Sequence, residues 1–170
     1  MPFNKIDIKD FNENIFTKIA NEWFLITAGK PEHCNTMTAC WGSFGVLWGR
    51  NVATVYVRKG RYTYEFMEDN DLFTLSFFGE NNCRDALNLC GSRSGREMDK
   101  IAAAGLTKEE LAGTTTFAEA DTVVVCKKLF TKGLPAEEIL DPAITKSYAE
   151  NEDWDYHYMY IGEIVGIYKK

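Results

Sequence analysis

Hydrophobic residues fall in short strand-like runs at both ends of the chain and at helical spacing in its middle. Residues 23–28 (Trp-Phe-Leu-Ile-Thr-Ala) read as a buried strand, and Gly29-Lys30-Pro31 stops it with turn chemistry. Residues 35–41 and 52–58 read as two further strands joined by a loop over 43–50. A helix is expected over 63–69, with Thr63 as its N-cap and Glu65 in its first turn. Phe66 occupies the position where a capping box would place Glu or Gln. The apolar run 72–78 predicts a central strand. Cys83, Ala86, Leu87 and Cys90 fall on one face of a helix over 82–90, and Gly91-Ser92-Arg93-Ser94-Gly95 interrupts it. A second helix is expected over 96–104, ending at Gly105. Residues 117–130 alternate as one long strand, Val123 and Val125 facing one way, Val124 and Cys126 the other. A mixed segment with Pro135 and Pro142 leads to a last strand over 156–168, where Gly162 and Gly166 suit bulges or bends. Strands bent at glycines with helices inserted between them predict a mainly β fold, a small closed or split barrel with helical decorations.

Composition narrows the function more than the fold. The 170 residues suit a single domain over 1–170, or one that completes its burial by dimerising, and no repeat or linker divides them. A hydrophobic fraction of 45% excludes a disordered chain. A net charge of -6 counts against nucleic acid, which wants clustered positive charge. No apolar run reaches the ~20 residues a membrane span needs. The first residues, Met-Pro-Phe-Asn-Lys-Ile-Asp, lack the apolar core of a secretory signal. The 5 cysteines, an odd number with no Cys-x-x-Cys, fit reduced thiols and a cytoplasmic protein. With 2 histidines, His33 and His157, a multi-histidine metal site is excluded, and no Gly-x-Ser-x-Gly elbow equips the chain for hydrolysis.

The candidate chemistry gathers between residues 35 and 63. Arg58, Arg61 and Thr63 stand where a strand delivers the chain to a helix start, and planar arginine forks with free helix N–H groups suit a phosphate. A solvated strand-to-helix turn fits the same residues about equally well. Asn35, Thr36 and Thr38 alternate with Met37 and Ala39, so one strand face is expected to be polar, facing either a ligand's ring edge or water. Met37 and Trp41 fit either ring packing or simple core. The run Gly91–Arg96 lacks the spacing of a phosphate loop and of Gly-x-Gly-x-x-Gly. It is a plain turn, or it brings Ser94, Arg96 and Lys100 to an anion. His157, among tyrosines, reads as a satisfied strand residue or as a substrate-facing one.

Several segments in collinear order carry a resemblance. They are Asn35–Gly42, Gly45-Val46-Leu47-Trp48, Arg58-x-x-Arg61-Tyr62-Thr63-Tyr64-Glu65-Phe66, Phe73–Phe78, Ala86–Gly91, Ser94-Gly95-Arg96-x-x-Asp99-Lys100 and Met159–Ile164. Together they resemble the flavin reductase-like family of FMN-binding split barrels, close to flavoredoxin. The resemblance implies a homodimer with FMN near the subunit interface. It implies that Asn35, Thr36, Met37, Thr38, Ala39, Cys40 and Trp41 line the ring and ribityl chain. Arg58, Arg61, Tyr62 and Thr63 would hold the phosphate, with Ser94 and Lys100 in support. Two positions depart from the family's pattern: Cys40 stands where serine is frequent, and Lys59 where proline is frequent. The implied function is an FMN flavoprotein that transfers reducing equivalents. It would be an NAD(P)H:flavin oxidoreductase reduced by NADH or NADPH, or a flavoredoxin-like carrier that hands electrons to a flavin or another acceptor. The ring carries such chemistry itself, so no catalytic side chain is required. The alternatives are a non-catalytic flavin-binding or sensor module and, less favoured, a thiol-redox protein working through Cys40 or Cys90.

Overall fold

The computed structural model describes residues 2–79, 82–151 and 155–170. Among these residues the strands are β1 (Asn4–Ile6), β2 (Phe24–Lys30), β3 (His33–Ala39), β4 (Gly42–Leu47), β5 (Arg50–Arg58), β6 (Leu72–Phe77), β7 (Lys108–Leu111), β8 (Thr114–Phe117), β9 (Thr122–Gly133) and β10 (His157–Lys169). Its helices are α1 (Ile15–Thr17), which runs into a π turn (Lys18–Glu22), α2 (Tyr62–Asp69), α3 (Arg84–Ser92), α4 (Lys100–Ala103) and α5 (Pro142–Ala149). No helix among the described residues is long and apolar enough to cross a membrane.

One antiparallel sheet runs in the order β3-β2-β6-β9-β10-β5-β4, with β1 added beside β10. The sheet is not closed: among the described residues β3 and β4 are its two ends. Strand β10 pairs with β5, β9 and β1, and its register shifts at Ile161/Gly162 and Ile164/Gly166, so the expected bends fall at those glycines. At Gly162 an added Cβ would lie 2.7 Å from the Phe73 ring, a space only glycine leaves open.

Both faces of the sheet are covered, which explains the nearly unbroken apolar runs. One face buries Phe24, Ile26, Phe73, Leu75, Phe77 and Tyr160 with Phe66 and Met67 of α2. The other buries Leu25, Val123 and Val125 with Leu87 and Cys90 of α3 and Ile101 of α4. Truncating any of these large aliphatic side chains to alanine is expected to cost ~2–5 kcal/mol.

Four expectations change. The stretch 43–50 is not a loop: β4 pairs with β5 across Trp48-Gly49, both at positive φ (52° and 70°), as a two-residue hairpin turn requires. The long strand over 117–130 is broken, because β8 pairs with β7 and a turn at Ala118–Asp121 precedes β9. Of the helix over 96–104, only α4 is helical, capped by Asp99, whose side chain accepts from Ala102 N at 3.1 Å. The mixed proline segment contains α5, with Asp141 as N-cap and Pro142 in the first turn, a start signal the reading passed over.

Candidate functional site

The turn from β5 into α2 is tightly made. Arg58, the last residue of β5, stands opposite His157 in the β5–β10 register. Arg61 N donates to Arg58 O at 3.0 Å, and Gly60 N donates to the Asp155 carboxylate at 2.7 Å. The helix begins at Tyr62 with Arg61 at the cap position, so Thr63 is not the N-cap. Thr63 is buried in the first turn, and its hydroxyl accepts from Asn35 Nδ2 at 2.8 Å, which fastens α2 to β3.

Strand β3 does not present one polar face. Asn35 shares its side with Met37 and Ala39, which are packed in the core below α2. Thr36 points the other way, buried 2.8 Å from the Thr27 hydroxyl and donating to Ile26 O. Thr38 Oγ1 donates to Leu87 O of α3 at 2.5 Å. The chain after α3 wraps the free edge of β3. An added Cβ at Gly91 would lie 3.3 Å from Thr38, and one at Gly95 only 2.2 Å from Asn35 Oδ1, so the loop needs glycine at 95 to lie this close.

This wrapping places two cations in one carbonyl cage. Arg61 Nη1 donates to Gly91 O at 2.7 Å and Nη2 to Cys90 O at 3.2 Å. Lys100 Nζ donates to the same Cys90 O at 3.2 Å and to Arg93 O at 3.1 Å. Lys100 is 3% exposed. Among the described residues no carboxylate forms an ion pair with Arg61 or Lys100. Burial, aided by the Arg61 charge, pulls the Lys100 pKa down to about 8. Burial and the neighbouring Arg58 likewise lower that of Arg61. Carbonyl dipoles satisfy the donors but leave the net charge uncancelled, so this corner favours an anion. A cavity of about 240 Å³ beside it is lined by Asn35, Tyr62, Gly95 and Lys100. Over it Arg96 stacks on the Tyr62 ring at 4.7 Å, donates to Gly60 O at 3.1 Å and pairs with Glu65. Ser94 is half-buried, its hydroxyl accepting from Arg96 N at 3.2 Å.

At the other end of β3, Cys40 and Trp41 open onto a cleft of about 1140 Å³ shared with Phe44, Tyr56, Tyr148 and His157. The Trp41 and His157 rings lie 4.9 Å apart. The Tyr148 hydroxyl and His157 Nδ1 are hydrogen-bonded to each other, and Tyr148 stacks on Tyr156 at 4.5 Å. Burial first, then the Arg58 charge, depresses the His157 pKa to about 4, so the ring is neutral at pH 7. Burial also raises the pKa of the Cys40 thiol, which weakens the thiol-redox alternative.

The expected site residues therefore divide. Asn35, Arg61, Tyr62, Thr63 and Lys100 gather at the cationic corner, Cys40 and Trp41 at the cleft. Arg58 stands between them, its charge felt by both Arg61 and His157. Thr36, Met37 and Ala39 are buried between the two ends. Sequence reasoning missed Tyr148. Its signal was the four-residue spacing from Ile144 on α5, since both line the cleft.

The flavin reductase like domain model matches residues 16–169. The chain belongs to the flavin reductase-like family. No curated protein sequence matches it. Among solved structures, an FMN-binding domain of a flavin reductases-like enzyme from Shewanella baltica OS155 superposes with TM-score 0.68. The two are 18% identical, over 99% of this chain and 77% of the other. Flavoredoxin from Methanosarcina acetivorans gives TM-score 0.66 at 21% identity, over 98% and 76% of the two chains. A Shewanella frigidimarina protein described as having a split barrel domain gives 0.66 at 17%, over 94% and 76%. The flavin reductase-like domain thus has the split-barrel fold, its sheet left open at β3 and β4 among the described residues.

Proposed function

We propose that this flavin reductase-like domain binds FMN, with the phosphate among Arg58, Arg61 and Lys100 and the isoalloxazine toward Cys40 and Trp41. The observation that carries the reading is a pair of cations, buried Lys100 and half-buried Arg61, whose hydrogen bonds among the described residues go to carbonyl oxygens. From Asn35 to Cys40 is five residues of extended chain, ~16 Å at ~3.3 Å each, comparable with an extended FMN. Asn35 and Tyr62 would meet the phosphate end, while Trp41 offers the ring an aromatic surface. When bound, FMN supplies the redox chemistry; the protein binds it, orients it and limits water.

The same reading makes the domain an FMN-dependent oxidoreductase that draws on NADH or NADPH and passes electrons to a flavin or another acceptor. A homodimer completes the site. Phe16, 87% exposed, and Ile144 rim the cleft, and Leu140, 95% exposed, precedes α5; covering them would remove apolar area a lone subunit leaves in water. The test is a visible spectrum and an FMN titration, followed by oxygen-free mixing with each nicotinamide. Flavin bleaching supports the reductase. A flavin reduced by dithionite but by neither nicotinamide would leave a carrier or a binding module.

A further inference from the structure

Lys100 Nζ has two acceptors among the described residues, Cys90 O at 3.2 Å and Arg93 O at 3.1 Å. An ammonium carries three hydrogens and a neutral amine two. Protonated Lys100 therefore keeps a hydrogen with no protein acceptor, beside the Arg61 guanidinium that shares Cys90 O. The neutral amine fits the cage better: both hydrogens are placed, and a lone pair takes the remaining tetrahedral direction. The side chain is buried yet lines the cavity of about 240 Å³. Its pKa of about 8 expresses the same preference, so unprotonated amine is present near neutral pH. A desolvated lysine next to a second cation is an activated nucleophile. The other charged or titratable groups on the cavity are Glu32, His33, Asp99 and Lys108, and none forms an ion pair with Lys100. The Asp99 carboxylate caps α4, and burial keeps the Cys90 thiol protonated. Arg61 uses two of its five N–H donors on Gly91 O and Cys90 O, which leaves three for an anion.

We propose that Lys100 is a site of reversible carbamylation by carbon dioxide. The nitrogen lone pair forms a bond to the carbon, the π pair of one C=O moves onto its oxygen, and a proton leaves the nitrogen for water. The reactant is small and uncharged, so it enters a buried corner without the desolvation cost an ion would meet. The product turns one of the corner's two positive charges into a negative one beside Arg61, whose remaining donors suit a carboxylate. The carbamate nitrogen keeps one hydrogen for Arg93 O, while Cys90 O keeps its bond from Arg61, so no carbonyl loses its partner. The modification itself stands on the cage alone. Its consequence, that carbon dioxide competes with FMN for the corner, rests on the proposed function.

The test equilibrates the full chain, without added FMN, with carbon-13 bicarbonate at pH 8, where the Lys100 amine titrates. Ethylation with a trialkyloxonium salt traps carbamates, and peptide mass spectrometry places them. The expected result is a trapped group on Lys100 at an occupancy at least about fivefold that on Lys108, an exposed lysine on the same cavity. This arm needs no variant. The carbon-13 carbamate resonance should disappear in Lys100→Met, persist in Lys108→Met and weaken in Arg61→Met, which keeps the amine but removes its paired cation. No trapped group on Lys100, or an occupancy no higher than on Lys108, would overturn the site. FMN titrations with and without carbon dioxide, at one pH and ionic strength, read the consequence. FMN affinity should fall about three- to tenfold in carbon dioxide, and saturating FMN should clear the trapped group. A trapped Lys100 with FMN affinity unchanged would uphold the modification and refute the placing of the phosphate against Lys100. Failure of FMN to bind at all would refute the proposed function and leave the trapping result standing.

Discussion

Replacing Lys100 with methionine should move stability and ligand affinity in opposite directions. The fall of the Lys100 pKa from its ordinary 10.5 to about 8 means that the fold disfavours the ammonium. That penalty amounts to roughly 2–3 kcal/mol once partial screening is allowed for. Methionine fills a similar unbranched volume without charge. The substitution also removes the donors to Cys90 O and Arg93 O. Cys90 O keeps its bond from Arg61, so one carbonyl loses its partner, at a cost of ~1–3 kcal/mol. The net change in unfolding free energy without flavin should lie between about -1 and about +2 kcal/mol. FMN, however, should lose one charge-assisted contact, ~1.5–3 kcal/mol or about ten- to a hundredfold in affinity. The pH dependence supplies an independent check. Because the folded pKa lies below the unfolded one, the penalty is present in full below pH 8 and fades as pH rises from 8 to 10.5. The wild type should therefore gain stability over that window relative to Lys100→Met. Urea unfolding at pH 7 and pH 10, with FMN fluorescence titrations, measures all three. A variant more than 1 kcal/mol less stable, or one with unchanged FMN affinity, would refute the reasoning.

Arg61→Ala should weaken FMN about ten- to a hundredfold and leave riboflavin binding unchanged, as read by fluorescence titration. Thr63→Val should cost ~1–3 kcal/mol in urea unfolding, since it strips the buried Asn35 amide of its 2.8 Å acceptor. Gly95→Ala should lift the loop from β3, its Cβ meeting Asn35 Oδ1 at 2.2 Å; both FMN affinity and thermal midpoint should fall. His157 has a folded pKa of about 4 against an ordinary 6.5, so its contribution to stability is present above pH 6.5 and lost as pH falls toward 4. His157→Asn should flatten that part of the stability–pH curve.

Much of the fold was legible because local pattern and tertiary environment agree. The run 72–78 is apolar since β6 is central and covered on both sides, and the bends at Gly162 and Gly166 follow from what those glycines must pass. The reading failed where local signals were ambiguous. Gly42–Leu47 contains two glycines and ends at a tryptophan in the left-handed region, so its pairing depends on β5 and not on its own propensity. Alternation over 117–130 concealed the turn at Ala118–Asp121, because Thr114–Phe117 and Thr122–Cys126 are each buried on both faces. At the site, the phosphate candidates Arg58, Arg61 and Lys100 were visible as charges near turns. The carbonyl cage that Arg61 and Lys100 share was not, since it arises from the loop after α3 folding over the β3 edge. The polar face expected of Asn35, Thr36 and Thr38 failed on strand geometry alone: residues an odd number apart point to opposite sides. Tyr148 escaped because only the tertiary fold brings α5 to the start of β10.

The most direct measurement is a side-by-side titration of the protein with FMN and riboflavin, which differ only in the phosphate. Buried Lys100 and half-buried Arg61 facing that group predict that FMN binds at least about a hundredfold more tightly, ~2.7 kcal/mol, and that the gap narrows in Arg61→Ala and Lys100→Met. Equal affinity for the two flavins in the unaltered protein would contradict the assignment of Arg58, Arg61 and Lys100 as the phosphate site.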